Sequence, residues 1–182
     1  IHWFNAMEVA IRGSNIAMIT DILISENKLH GEEKQIFLNS IYDHLMFVLN
    51  HLEWSPLSRN NHYLANIVGI MVMSYFLPKN KKLESIMNFS AQQLLNEIDF
   101  QFYNDGSLKE GSTAYHVLSS EMVLIGIYFY KKIMSKNIKY ESNYDSILGR
   151  LFKKKSFIYF YSKNINKNFE KKMFDKVKKI FS

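Results

Sequence analysis

Cysteine is absent from this sequence, which excludes disulfides, thiolate metal sites and cysteine nucleophiles together. Proline is scarce: with 2 prolines and 7 glycines in 182 residues, little breaks the chain, so strand-rich folds that need frequent turns lose ground. No apolar run is long enough to span a bilayer, and no signal peptide stands at the start. The first residue is Ile1 rather than methionine, so the chain is expected to be a piece of something longer. These absences leave the compartment open. What is present is a 47% hydrophobic fraction, enough for one domain with a sizeable core, and a net charge of +6, which favours a polyanionic partner such as nucleic acid, an anionic membrane or an acidic polysaccharide.

The apolar residues fall at helical spacing. From Trp3 to about Ile24, Trp3, Met7, Ala10, Ile11, Ala17, Met18 and Ile22 recur at three and four, with Glu8, Arg12 and Asn15 on another face. Glu8 reads as solvated, whereas Arg12 and Asn15 are close enough to act on one ligand. A second helix is expected from about Glu32 to Glu53, a third from Asn61 to about Phe76, and, after Leu77-Pro78-Lys79-Asn80, a fourth from about Lys81 to Phe102. A fifth would start near Ser112 and run through Met134, with a return helix around Tyr144 to Lys154. The fold class is therefore all-α, built of antiparallel helical hairpins over residues 1–155. Beyond it lies a basic tail, 156–182, in which Phe157 to Tyr161 is short and strand-like and Phe169, Met173, Val177 and Ile180 mark an amphipathic helix with Lys171, Lys172, Lys176, Lys178 and Lys179 outside.

Two polar stretches interrupt the hairpins, each after one long helix and before the next. Ser58-Arg59-Asn60-Asn61-His62-Tyr63 is one; Tyr103-Asn104-Asp105-Gly106-Ser107, continuing to Glu110-Gly111-Ser112-Thr113-Ala114-Tyr115-His116, is the other. The second opens on an Asn-Asp-Gly turn and delivers Tyr115 and His116 at the mouth of a helix. We expect the two loops to face each other across one cleft. Residue types alone favour a plainer account, with Asn and Asp as helix caps, His62 and His116 as satisfied histidines and Tyr115 as a core aromatic. The two histidines lack the spacing of the familiar zinc helices, so no metal is expected.

The conjunction of blocks points further. Trp3-Phe4-Asn5-Ala6-Met7-Glu8-Val9-Ala10-Ile11-Arg12-Gly13-Ser14-Asn15, then Asn60-Asn61-His62-Tyr63-Leu64-Ala65-Asn66-Ile67-Val68-Gly69, then Gln101, Asp105-Gly106-Ser107 and Glu110 through His116 together resemble the helical domain of the heparinase II/III family of polysaccharide lyases, over roughly the first 130 residues. The resemblance implies an (α/α) toroid, of which this chain would hold only part, followed by a β-sandwich domain that it is too short to contain. It implies β-elimination at a uronic acid, where the carboxylate must be neutralised before the neighbouring carbon releases a proton. Asn61 and His62 would do this, with Tyr115 as acid/base and His116 as a secondary member of the catalytic group. Tyrosine hydroxyls titrate at about 10, so positive charge from His116, Arg12 or the overall field would have to favour the phenolate.

By the same resemblance Arg12, Asn15, Asn60, Tyr63, Gln101 and Glu110 would line the cleft and bind substrate, arginine suiting carboxylate or sulfate through its two-pronged donors. Tyr63 or Trp54 offers a ring for stacking on a sugar, a core role being equally open for Trp54. No organic cofactor is implied. Members of the family usually draw one further catalytic histidine or tyrosine from outside these blocks, and they usually work in the periplasm or outside the cell. The competing reading is a non-catalytic helical module that binds an anionic polysaccharide or other polyanion through its lysines. Nucleic acid is the third reading, and no helix-turn-helix, zinc or RNA-binding signature supports it.

Overall fold

A computed structural model describes residues 3–57, 59–135 and 165–182. Six helices make up this structure: α1 (Ala6–Ser25), α2 (Gly31–Asn50), α3 (Asn61–Phe76), α4 (Lys81–Gln101), α5 (Thr113–Met134) and α6 (Lys167–Ile180). The described residues contain no strand, so the fold is all-α. The expected return helix at Tyr144–Lys154 and the strand-like stretch Phe157–Tyr161 lie outside the described residues.

Most helix starts are marked by a side chain the sequence supplies. Asn5, Asn60, Asn80, Ser112 and Asn166 each accept a hydrogen bond from a backbone N–H of the following first turn. α3 ends at Leu77, where the following Pro78 holds the chain extended.

α3 is the centre of the molecule. It is apolar on every side, and α1, α2, α4 and α5 all pack on it. α1, α3 and α5 form a row, with α2 in the crevice between α1 and α3 and α4 in that between α3 and α5. α6 returns to pack on α4. The α1–α3 approach is close because it is made of small residues: a Cβ on Gly69 would stand 2.7 Å from that of Ala10. This corrects the expected face of α1. Its buried residues are Ala6, Val9, Ala10, Gly13, Ser14, Ala17 and Thr20, while Ile11, Ile19 and Ile22 are exposed. Backbone proximity outweighs side-chain size in deciding which face goes inward. None of the described helices is long and apolar enough to cross a membrane.

Candidate active site

Three helices of the row begin at one end of the molecule, and their first turns are joined by acidic side chains. Glu53 accepts from the Met7 N–H in the first turn of α1 (2.9 Å) and from His62 Nδ1 in the first turn of α3 (2.9 Å). Glu110, just ahead of α5, accepts from the Asn61 N–H at 3.4 Å. Free N–H groups and the helix dipoles make such a place attractive to negative charge, and these two carboxylates use part of that capacity.

Glu53 was expected inside α2, which instead ends at Asn50. Ser55 precedes Pro56 and is biased to extended backbone. Once released from the helix, the Glu53 carboxylate reaches three donors, the third being Asn66 Nδ2 at 3.1 Å. Asn66, fully buried one turn below His62, in return accepts at Oδ1 from the Glu53 N–H (2.8 Å). Because an ionised carboxylate only accepts, His62 carries its proton on Nδ1. Nε2 has no partner among the described residues, and the ring is 37% exposed.

Beneath this lies a buried ion pair. Arg59 donates from Nε to Glu97 at 2.9 Å and its guanidinium stands over the Phe100 ring at 4.1 Å. Glu97 is fully buried, and burial pushes its carboxyl above the usual carboxylate range, against the pull of Arg59 and of Gln101. Gln101 donates both to Glu97 (2.9 Å) and to the Asn60 carbonyl (2.8 Å), so it ties α4 to the start of α3. Its own Oε1 is buried with no partner among the described residues. Lys109 of the second loop also stands over Phe100, 5.4 Å from the ring centre. The two polar loops therefore touch, through Phe100, Gln101 and Glu110.

The second loop is a tight reversal, with Tyr103 N–H donating to Ser107 and Lys109 N–H to Gln101. Two hydrogen bonds from Ser107, backbone first, hold the exposed Asp105 carboxyl below its usual range. Gly106 has φ +95° and packs on the last turn of α6, where a Cβ would come within 2.5 Å of the Lys179 carbonyl. Tyr115 stands half-exposed on the first turn of α5, its hydroxyl without a partner among the described residues. His116 is half-buried, its ring edge-on to Phe102 at 6.2 Å.

The structure sorts the remaining candidates. Asn61 is buried at the first position of α3, and its side-chain amide makes no hydrogen bond among the described residues. Asn60 is spent as the α3 cap, its Oδ1 accepting from the His62 N–H. Tyr63 does not line a cleft: it is fully buried and bonded to Gln93 Oε1 at 3.2 Å, the third residue after the cap pointing into the helix row. Gln101, also buried, is a tie between elements rather than a surface group. Arg12 and Asn15 are not brought to one point. Arg12 donates from Nε to His44 Nε2 (3.0 Å) and covers Trp3, while Asn15 is exposed beside a shallow groove between α1 and α5 lined by Ala65, Val68, Met122 and Ile125. His44 accepts from Arg12 and so is neutral, in line with burial lowering its pKa. Among the described residues no group of three or more His, Asp or Glu side chains converges as a metal site.

With this geometry in hand, the comparisons decide the family. The family described as Heparinase II/III N-terminus matches residues 2–169 of the chain. The chain belongs to this heparinase II/III family. The matched span includes both loops and extends past the roughly 130 residues covered by the motif resemblance, into the tail. No curated protein and no solved structure matches the chain. Within the family's matched region, the residue that spacing and motif missed is Glu53; its only signal in the sequence was a carboxylate three residues ahead of a proline, which helical periodicity absorbed.

Proposed function

We propose that this chain is part of a polysaccharide lyase that cleaves a uronic-acid-containing acidic polysaccharide by β-elimination. Supporting this is one observation above the others: the helix starts that present Asn61 and His62 are bonded, through Glu110, to the loop that delivers Tyr115, in a chain matched by a heparinase II/III family. In the reaction a proton leaves the carbon beside the carboxylate, a double bond forms and the bond to the departing glycosidic oxygen breaks. Asn61 donates from its side-chain amide to the substrate carboxylate, and His62, as the imidazolium, donates to it from Nε2 while Nδ1–H stays on Glu53. Together with the converging helix N-termini they offset the charge that develops there. Tyr115, exposed and with no hydroxyl partner among the described residues, exchanges the proton, with His116 orienting the loop.

In this reading the α1–α3–α5 row is an arc of an (α/α) toroid, a β-sandwich domain follows in the parent protein, and the enzyme meets its polymer in the periplasm or outside the cell. No cofactor takes part.

A second reading, a non-catalytic polyanion-binding module, is favoured by α6, which carries six lysines against one glutamate and one aspartate. Lys171, Lys172, Lys176 and Lys179 line a concave patch with Asn104, Asn168 and one carboxylate, Asp175; Lys176 is buried there and donates to the Phe102 carbonyl at 2.9 Å.

An ultraviolet assay for the unsaturated uronate, run on the chain and its parent against heparin, heparan, alginate, hyaluronan and chondroitin, separates the two. Tyr115→Phe should lower turnover by about 10²–10⁴-fold with little change in binding. Unchanged turnover in that variant, or no product from the parent with any polymer, would leave the binding module as the better account.

A further inference from the structure

We propose that Glu53 is the positioning residue of His62, fixing which ring nitrogen faces the substrate; the catalytic consequence rests on the lyase reading above, the structural one does not. The two oxygens of Glu53 have separate tasks. Oε2 accepts from the Met7 N–H (2.9 Å) and from Asn66 Nδ2 (3.1 Å), both of which can only donate. Among the described residues Oε1 is left to His62 Nδ1, at 2.9 Å. The carboxylate cannot swing, because Asn66 also holds the Glu53 N–H from a position with no solvent access. A loop carboxylate is thereby as firmly placed as one on a helix.

The arrangement fixes the imidazole in either protonation state. Neutral, the ring holds its hydrogen on Nδ1 and offers a lone pair at Nε2; protonated, it keeps the Nδ1–H bond and offers Nε2–H as a donor. Nε2 is the nitrogen presented in both cases. An exposed carboxylate–imidazole contact contributes little to stability on its own. Holding the α1 and α3 starts together requires only Oε2, so the contact through Oε1 is explained by the ring it orients.

The same reasoning gives an inverted tautomer in one variant. In Glu53→Gln the amide oxygen must stay at the Oε2 position, since two donors meet there, so the amide NH₂ faces His62. Nδ1 then has to accept, and the neutral ring moves its hydrogen to Nε2. The fold keeps its Oε2 contacts, so the variant is expected to remain native by circular dichroism.

Long-range ¹H–¹⁵N spectra of ¹⁵N-histidine-labelled chain, above the imidazole titration and with His62→Gln to assign the resonances, read this directly. The wild type should show Nδ1–H at His62 and Glu53→Gln should show Nε2–H, with Glu53→Asp returning toward Nδ1–H. On the active parent, Glu53→Gln should lower kcat by about 10- to 100-fold with KM little changed. An unchanged His62 tautomer in Glu53→Gln overturns the proposal, as does an inverted tautomer with full kcat. An inverted tautomer in a parent that cleaves no polymer upholds the Glu53–His62 coupling and counts against the lyase reading instead.

Discussion

The loop before α3 and the loop before α5 end alike, in a capped helix start, but are held by different means. In the first, Arg59 reaches Glu97 38 residues on, Gln101 reaches back 41 residues to Asn60, and Glu53 reaches Met7 46 residues before it. In the second, the bonds among Tyr103, Asp105, Ser107, Leu108 and Gly111 span four residues or fewer. The groups proposed to meet a carboxylate are thus fixed by the tertiary structure, and the proposed acid/base is presented by a local turn. A donor for a fixed charge gains from being pre-placed, since no reorganisation is then needed as charge develops. Tyr115, with no hydroxyl partner among the described residues, retains room to follow the proton.

The sharpest way to break this contrast is Arg59→Met, which strands Glu97 in the interior. Loss of one partner of a buried pair costs about 3–5 kcal/mol, read as a large drop in Tm. Glu97's folded pKa lies above its unfolded one, so its contribution to stability is present at low pH and lost as pH rises through the folded value. Without Arg59 that rise is larger. The variant's deficit should therefore be smaller at about pH 4 than at about pH 7 in parallel thermal melts; a deficit independent of pH would mean that Glu97 is not the stranded group.

Gly106→Ala attacks the second loop where it packs on the last turn of α6. A positive φ and a Cβ driven against the Lys179 backbone should cost about 1–3 kcal/mol. Hydrogen exchange should quicken mainly in α6, leaving α3 protected. Equal loosening of α3 would show that the two loops are one unit. The smallest effect is expected for Ser112→Ala. The capping bond to the Tyr115 N–H is long, at 3.4 Å, so its loss should cost about 0.5–1 kcal/mol in a urea titration, with the change confined to the start of α5.

How far the sequence could be read follows the same division. Asn61–Phe76 was bounded correctly because an asparagine cap and a Leu-Pro stop enclose a continuous apolar run. The Asp105–Gly106 turn was legible for the same local reason. Tyr63 was misplaced because motif adjacency says nothing about direction: one residue along a helix turns a side chain from the loop to the core. Gln101 was misplaced because its buried partners, Glu97 and the Asn60 carbonyl, come from elements whose meeting no local pattern encodes. For α1, size was taken as the sign of burial where closeness of backbones decided.

By itself, then, the sequence determined the all-α class, most helix limits, the two polar loops and the family, since each depends on contacts within a few residues or on motifs in series. Only the tertiary structure decided that three helix N-termini share one end, that Arg59 and Glu97 are buried beneath it, and that Glu53 leaves its helix to hold His62. Arg59 and Glu97 meet because charges cannot be buried unpaired, and they stand 38 residues apart along the chain; Glu53 likewise finds the Met7 N–H 46 residues away.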